Sequence, residues 1–308
     1  MSVVVFVAGA ASLPGLAQNP VPLPAQATTG PNVTFTVASI RRNSEEEAAR
    51  GAILQKDPNA PIPPGRAQTR PGGQLVGRGM SVRELIRDAY GYRNRAAADV
   101  IGGPNWIDSE RYDVQAKADL ELPASSILGL PPEAESALRA LLAERMRLQV
   151  RVERRRQRVY EMVMARDDRR PGPNLVQAKG GCRSFYAREP QPAQPAAGQA
   201  TPGQPAPVRP CAMGVSLARV VAENMTMEEW ARFLAAFPQI DATVIDRTGL
   251  SGAFDFTVTN PAANDPDASP LLPAVQPLLE SQLGLRLRST EAEVEVLVIQ
   301  RVERPTGN

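Results

Sequence analysis

The sequence of 308 residues contains no histidine. This absence excludes Ser-His-Asp and Cys-His nucleophile systems, histidine zinc sites and axial-histidine haem. The two cysteines form no CxxC pair, and no glycine-rich phosphate loop follows a predicted strand. We therefore expect neither a bound metal nor a cofactor, and many conventional catalytic mechanisms are closed to this chain.

Lysine is also scarce, because arginine supplies almost all of the 35 basic residues. The 33 acidic residues nearly balance them, so the net charge is +2 and no strong field attracts nucleic acid. We expect no nucleic-acid partner. Hydrophobic residues make up 43% of the chain, which is enough for the cores of two ordinary domains or one large domain.

The chain opens with an apolar run, MSVVVFVAGAASLPGLA, whose last small residues suit a signal-peptidase site. We interpret 1–17 as a signal peptide and the proline-rich 18–31 as a flexible tether, which predicts an exported, periplasmic or extracellular protein. A short retained anchor is the alternative, because the run has no basic residue at its start. No later run reaches the roughly 20 apolar residues of a membrane helix, so we expect no transmembrane span in the mature chain.

Cys182 and Cys211 flank a segment of proline, alanine and glutamine that has almost nothing to bury. We interpret 182–211 as a low-complexity loop. In an oxidising compartment the two thiols are expected to form a disulfide, which would stabilise the fold by roughly 3 to 4 kcal/mol. Two free buried thiols or one reactive thiol are the alternatives.

The same pattern of elements occurs on either side of this loop, in 32–181 and in 212–308. Ser81 and Glu84 in the first half have the spacing of a helix capping box, and so have Thr226 and Glu229 in the second. Each half is predicted to run strand, helix, strand, helix, strand, strand. The last two strands are expected to form a hairpin, with 154–156 at its tight turn. The fold class is therefore α+β with antiparallel sheets and two related halves.

The repeat also predicts equivalent positions in the two halves. Asp113 is expected to correspond to Asp255, and Val159 to Val294, because each pair follows the same local pattern.

Several segments together resemble an uncharacterised family of exported proteins from acidobacterial soil bacteria, the Solibacter-type family. The most specific of these segments are TGLSGAFDF at 248–256 and VIQRVERPTGN at 298–308. Some copies in that family lie behind a membrane metallopeptidase of the β-lactam-sensor kind. The resemblance therefore implies a sensing or docking role outside the cytoplasm. This chain contains no HExxH motif of its own.

Two loops are the candidate binding sites. The first offers Trp106 beside Asp108, which could stack on a sugar or a peptide, although such a tryptophan more often packs on its own core. The second loop, rich in glycine, offers the residues Asp246, Arg247, Thr248 and Asp255. It could hold a small anion or bring carboxylates together, or it could be a bend in which Asp246 and Thr248 bond to their own backbone.

The preferred interpretation is an exported binding, sensing or interaction module without catalytic activity, whose partner is an unknown protein or small molecule of the cell envelope. A protease inhibitor would have the same sequence features. The alternative is an exported hydrolase that uses the carboxylates of Asp108, Asp246 or Asp255, since acid and base roles do not require histidine. The arginine-rich segment 145–158 is interpreted as a solvated strand face, and an acidic or nucleic-acid partner is the alternative.

Overall fold

The computed structural model describes residues 33–56, 65–93, 99–125, 129–180, 182–183, 209–211, 213–216, 219–237, 240, 242–261 and 275–305. The predicted signal peptide, the tether and most of the low-complexity loop lie outside the described residues. The fold is α+β with mainly antiparallel sheets and few helices, which confirms the predicted class. No helix among the described residues is long and apolar enough to cross a membrane.

Two outer sheets have the same arrangement of strands. The first has the order β1-β5-β3-β2 and the second has the order β7-β13-β11-β10, and all neighbours are antiparallel. The strands of the first are β1 Phe35–Arg42, β2 Gln68–Arg70, β3 Gln74–Met80 and β5 Tyr112–Ala118. Those of the second are β7 Leu175–Gln177, β10 Met213–Val215, β11 Arg219–Thr226 and β13 Ala253–Thr259.

A central sheet, in the order β12-β6-β14-β4, joins the two parts of the chain. Its middle is the long antiparallel pair of β6 Gln149–Met164 and β14 Leu285–Arg301. The edge strands are exchanged between the two parts: β12 Val244–Asp246 lies parallel to β6, and β4 Val100–Gly102 lies parallel to β14. Each part therefore completes the sheet of the other.

The predicted terminal hairpins are wrong. The arginines at 154–156 lie inside the continuous strand β6, and Arg154 and Arg156 are in register with Glu295 and Glu293 of β14. Period-two alternation is the same in a hairpin arm and in one long strand, so it does not distinguish them. No glycine or proline at this point favours a turn, and the cross-strand charge pairs favour the ladder.

Both predicted capping boxes are present at the helices that follow β3 and β11. Ser81 and Glu84 cap α2, and Thr226 and Glu229 cap α5, with both reciprocal bonds formed in each case. A further helix, α1 Ser44–Lys56, was not predicted from the sequence, and none of its residues is buried. The helices are α1 Ser44–Lys56, α2 Val82–Ala89, α3 Trp106–Ser109, α4 Pro132–Met146, α5 Met227–Leu234 and α6 Val275–Leu278, the last extended by a π-helical turn over Leu279–Leu283.

The hydrophobic cores are divided between the two parts of the chain, as the outer sheets are. One core lies between the first outer sheet, α2 and α4, and a second lies between the second outer sheet, α5 and the α6 segment. A small third cluster on the central sheet contains Val159, Val294 and Val296. Beside it, the Thr243 hydroxyl donates to the buried Asp99 carboxylate across 2.8 Å, which ties together the segments that lead into the two exchanged strands.

Candidate functional site

The first predicted loop is held by an arginine of α2. Arg83 donates to both carboxylate oxygens of Asp108, with distances of 2.5 Å to Oδ1 and 2.9 Å to Oδ2. The same guanidinium donates to the backbone carbonyls of Val100 and Gly102 in β4. A carboxylate that receives both arms of a guanidinium is positioned as a structural clamp. Arg83 thus connects α2 to the exchanged strand β4 and to Asp108.

Trp106 of the same loop is half-buried against the first core, and Arg304 covers its ring. The guanidinium carbon lies 4.8 Å from the ring centroid, which is a cation–π contact. Arg304 also donates to Glu110 at 2.7 Å, and this hydrogen bond lowers the pKa of the Glu110 carboxyl. The Tyr112 hydroxyl donates to Glu110 at 2.7 Å, and burial, the largest cause, raises the pKa of that hydroxyl. The chain's last described segment is thereby attached to the first core.

The second predicted loop forms a tight bend. Asp246 Oδ1 accepts from the backbone N–H of Thr248 at 2.9 Å and from its hydroxyl at 2.8 Å. The Thr248 hydroxyl oxygen then accepts from the N–H of Leu250 at 3.1 Å, and Thr248 is fully buried. These are the local side-chain bonds of an Asx turn. Within this bend Asp246 Oδ1 and the Thr248 hydroxyl oxygen are used by the loop itself.

Arg247 points away from that buried bend. Its backbone N–H donates to the Met162 carbonyl at 2.9 Å, while its side chain is 62% exposed and lies 3.8 Å from Glu161. Arg169, from the loop after β6, donates to the Thr248 carbonyl at 2.7 Å. The loop is therefore attached to β6 through its backbone, and the exposed ion pair of Arg247 contributes little to stability.

Asp255 supports a β-bulge in the neighbouring strand. Its Oδ1 accepts from the backbone N–H of Asn224, 2.7 Å away, where the register between β11 and β13 shifts. In the first outer sheet, Asp113 accepts from the N–H of Gly79 at 2.8 Å at the corresponding shift between β3 and β5. Asn224 and Gly79 both have left-handed backbones, with φ of 50° and 56°. Each aspartate thus satisfies the N–H that its bulge leaves out of the ladder.

The structure does not bring the two predicted loops together. The Trp106 loop follows β4 and the Asp246 loop follows β12, and these strands are the opposite edges of the central sheet. Asp255 belongs to the second outer sheet instead. The two predicted loops therefore do not form one composite site.

A buried ion pair was missed by the sequence reasoning. Asp88 of α2 is 3% exposed and accepts from Arg93 and from the N–H of Ala67, the latter at 3.0 Å. Burial raises the pKa of Asp88 to about 6 and lowers the pKa of Arg93. The sequence signal that could have indicated this pair is an aspartate, Asp88, on an otherwise apolar face of α2. The pair attaches the chain ahead of β2 to α2.

In the part of the chain that the structure describes, no group of three or more cysteine, aspartate or glutamate side chains is arranged to hold a metal ion. A family model described as a protein of unknown function, DUF3738, matches residues 83–302. No curated protein and no solved structure matches the chain.

Proposed function

Because the chain belongs to the DUF3738 family, whose description gives no activity, we propose a function from the described residues: it is a protein-interaction module that acts outside the cytoplasm without catalysis. The main support is that each carboxylate of the hydrolase alternative has a structural partner. Asp108 is engaged by Arg83, Asp246 by Thr248 and Asp255 by Asn224. Each of these carboxylates accepts a hydrogen bond that holds its own loop, bend or bulge, which is a structural role.

This proposal predicts that the loop aspartates matter for stability. Replacement of both Asp246 and Asp255 with alanine leaves two backbone N–H groups without their acceptors, at about 1 to 3 kcal/mol each where water cannot replace them. We expect the thermal midpoint to fall by several degrees, which differential scanning calorimetry measures. Asp119→Ala is the matched control, because Asp119 is exposed at the end of β5.

The same variants distinguish the interaction module from the hydrolase alternative. The wild-type protein is assayed against chromogenic esters, glycosides and phosphate esters, and we expect no turnover of any of them. Turnover by the wild type that the Asp246→Ala/Asp255→Ala variant loses while it keeps its thermal midpoint would overturn the interaction-module proposal.

We also propose that the two halves are structural repeats. Support comes from the shared order of the outer sheets, from the paired capping boxes and from the paired bulges with Asp113 and Asp255. The helices before the long strands also end alike, at residues with left-handed backbones, Arg147 and Gly284. An interaction module assembled this way presents two similar outer sheets on one central sheet.

We also propose that the protein is exported and that Cys182 and Cys211 form a disulfide. The Cys182 side chain lies outside the described residues, but its backbone in β8 Cys182–Arg183 lies in register with Arg209 of β9 Arg209–Pro210. This short parallel pair brings the two ends of the 182–211 segment side by side, and the buried Cys211 lies two residues beyond Arg209.

A further inference from the structure

The outward face of the first outer sheet carries a group of cations. Lys117 of β5 is in register with Val37 of β1 and Gln74 of β3, and Gln74 is in register with Arg70 of β2. Arg41 is in register with Asp113 in the row at the other end. Because residues in register point to the same side of a sheet, these side chains share one face, opposite the core. We define this set, completed by the middle row of Ser39, Gln115, Val76 and Gln68, as the basic face.

The cations of the basic face differ from most arginines of the protein. Arg41, Arg70 and Lys117 are exposed, and none of them forms a salt bridge within the described residues. The acid within the three rows, Asp113, is already engaged by the Gly79 N–H and the Asn43 amide. Within the three rows the three cations Arg41, Arg70 and Lys117 outnumber this one carboxylate, so the face has an excess of positive charge.

The fold itself does not require these cations. In the second outer sheet, Thr259 stands where Lys117 stands in the first, and Val176 is in register with Asp255 as Arg41 is with Asp113. Threonine and valine serve the same ladder positions without charge. The cations at the positions of Arg41 and Lys117 are thus a property of one outer sheet and not of the architecture.

We propose that the basic face is the docking surface for an acidic protein, which rests on the proposed function as an interaction module. Charge complementarity selects an acidic partner. Three glutamine amides and the 68% exposed Val37 supply the hydrogen-bonding and apolar contacts of a protein interface. No tyrosine, tryptophan or phenylalanine lies in the three rows, so the face lacks the stacking platform that single-stranded nucleic acids use.

The size of the basic face sets the expected affinity of the docking contact. Four strands about 4.8 Å apart and three rows about 6.7 Å apart cover roughly 300 Å², well below the 800 Å² that each partner of a standard interface buries. The contact is therefore weak and electrostatic. Its affinity falls as salt rises, because exposed charges are screened over about 8 to 10 Å at 0.1 to 0.15 M ionic strength.

Charge reversal on matched surfaces tests the proposal. The probe is a fluorescein-labelled poly-glutamate peptide, followed by fluorescence anisotropy at low and high salt. Arg41→Glu/Lys117→Glu is compared with Arg170→Glu/Arg219→Glu, which makes the same change in net charge at exposed positions away from the basic face. We expect the first pair to weaken peptide binding about tenfold or more and the second to change it little. Circular dichroism confirms that both variants fold.

Three results would overturn the proposal. Equal weakening by both pairs would show attraction by net charge alone, and no weakening by Arg41→Glu/Lys117→Glu would show that the basic face is not used. Tighter binding of an oligodeoxythymidine of equal charge through the same residues would identify a nucleic-acid surface instead. Each result is independent of the turnover assay, so failure of this proposal is distinguishable from failure of the interaction-module function.

Discussion

The exchanged strands predict that the two halves unfold together, and a matched pair of leucines tests this. Leu142 of α4 is 0% exposed and Leu279 of the α6 segment is 1% exposed, and each lies in a different core. Truncation of a buried leucine to alanine costs about 2 to 5 kcal/mol, because it removes apolar contacts and leaves a cavity. For a urea dependence of roughly 3 kcal/mol/M, each change lowers the midpoint by roughly 1 M.

The two tryptophans report on the two halves separately. Trp106 packs against the first core and Trp230 is buried in the second. Each leucine variant is made in a Trp106→Phe and in a Trp230→Phe background, and fluorescence follows urea unfolding. Were the halves independent repeats, Leu279→Ala would shift chiefly the Trp230 transition.

We expect equal shifts of both transitions instead. β12 and β4 each pair with the long strand of the other half, and β6 and β14 pair along nearly their whole length. Loss of one half would therefore strip hydrogen bonds from the other. Leu120→Ala is the control, since Leu120 is 46% exposed and its truncation should change stability by less than about 0.5 kcal/mol. A Trp230 transition that moves while the Trp106 transition stays would refute the coupling.

Two other predictions concern charge and covalent structure. Burial raises the pKa of Asp88 to about 6 in the folded protein, so its stabilising contribution is full below the unfolded pKa of about 3.9 and is lost as the pH rises through about 6. The wild type should therefore lose roughly 3 kcal/mol relative to Asp88→Asn between pH 4 and 7 in urea titrations, at about 1.36 kcal/mol per pKa unit; a difference that stays constant or grows would contradict this. For the disulfide, a non-reducing digest of exported protein should yield the Cys182 and Cys211 peptides as one linked species, and two freely alkylated thiols would count against both the bond and export.

Local signals in the sequence were reliable where one short segment contained the whole interaction. The capping boxes at Ser81 and Thr226 formed as expected, because hydroxyl and carboxylate lie three residues apart on the same helix start. The period-two pattern also identified the strand residues around Leu148 and Leu285. It gave no information on partner or length, and so β6 and β14 were interpreted as two hairpins.

The correspondence between residues of β6 and β14 was predicted wrongly for the same reason, because alternation alone does not fix which residues are equivalent. Val244 is in register with Tyr160, and Val100 is in register with Leu297, which makes Val159 the counterpart of Val296. The predicted counterpart, Val294, is two residues away. A shift of two residues keeps every side chain on its face, so the alternation of β14 fits either assignment equally well.

For the candidate sites, the sequence could not decide between a functional and a structural role. The sequence identified Asp246, Thr248 and Asp255 as either functional or structural, and their bonds are those of the structural alternative. The clamp of Arg304 on Glu110 joins residues that are 194 positions apart in the chain. No spacing rule connects such residues, because the contact exists only after the central sheet has brought the end of β14 next to the first core.

The arrangement of strands also bears on where the folded unit starts. The family match begins at Arg83, one residue inside α2, yet three of the four strands of the first outer sheet, β1, β2 and β3, precede that point. A chain cut there would keep β5 without either of its neighbours and would expose the core-facing side of Tyr112 and Val114, both at most 1% exposed in the intact fold. Open edges with apolar side chains favour aggregation. The segment from Val33 is therefore part of the structural unit, and it also carries Arg41 and Arg70 of the basic face.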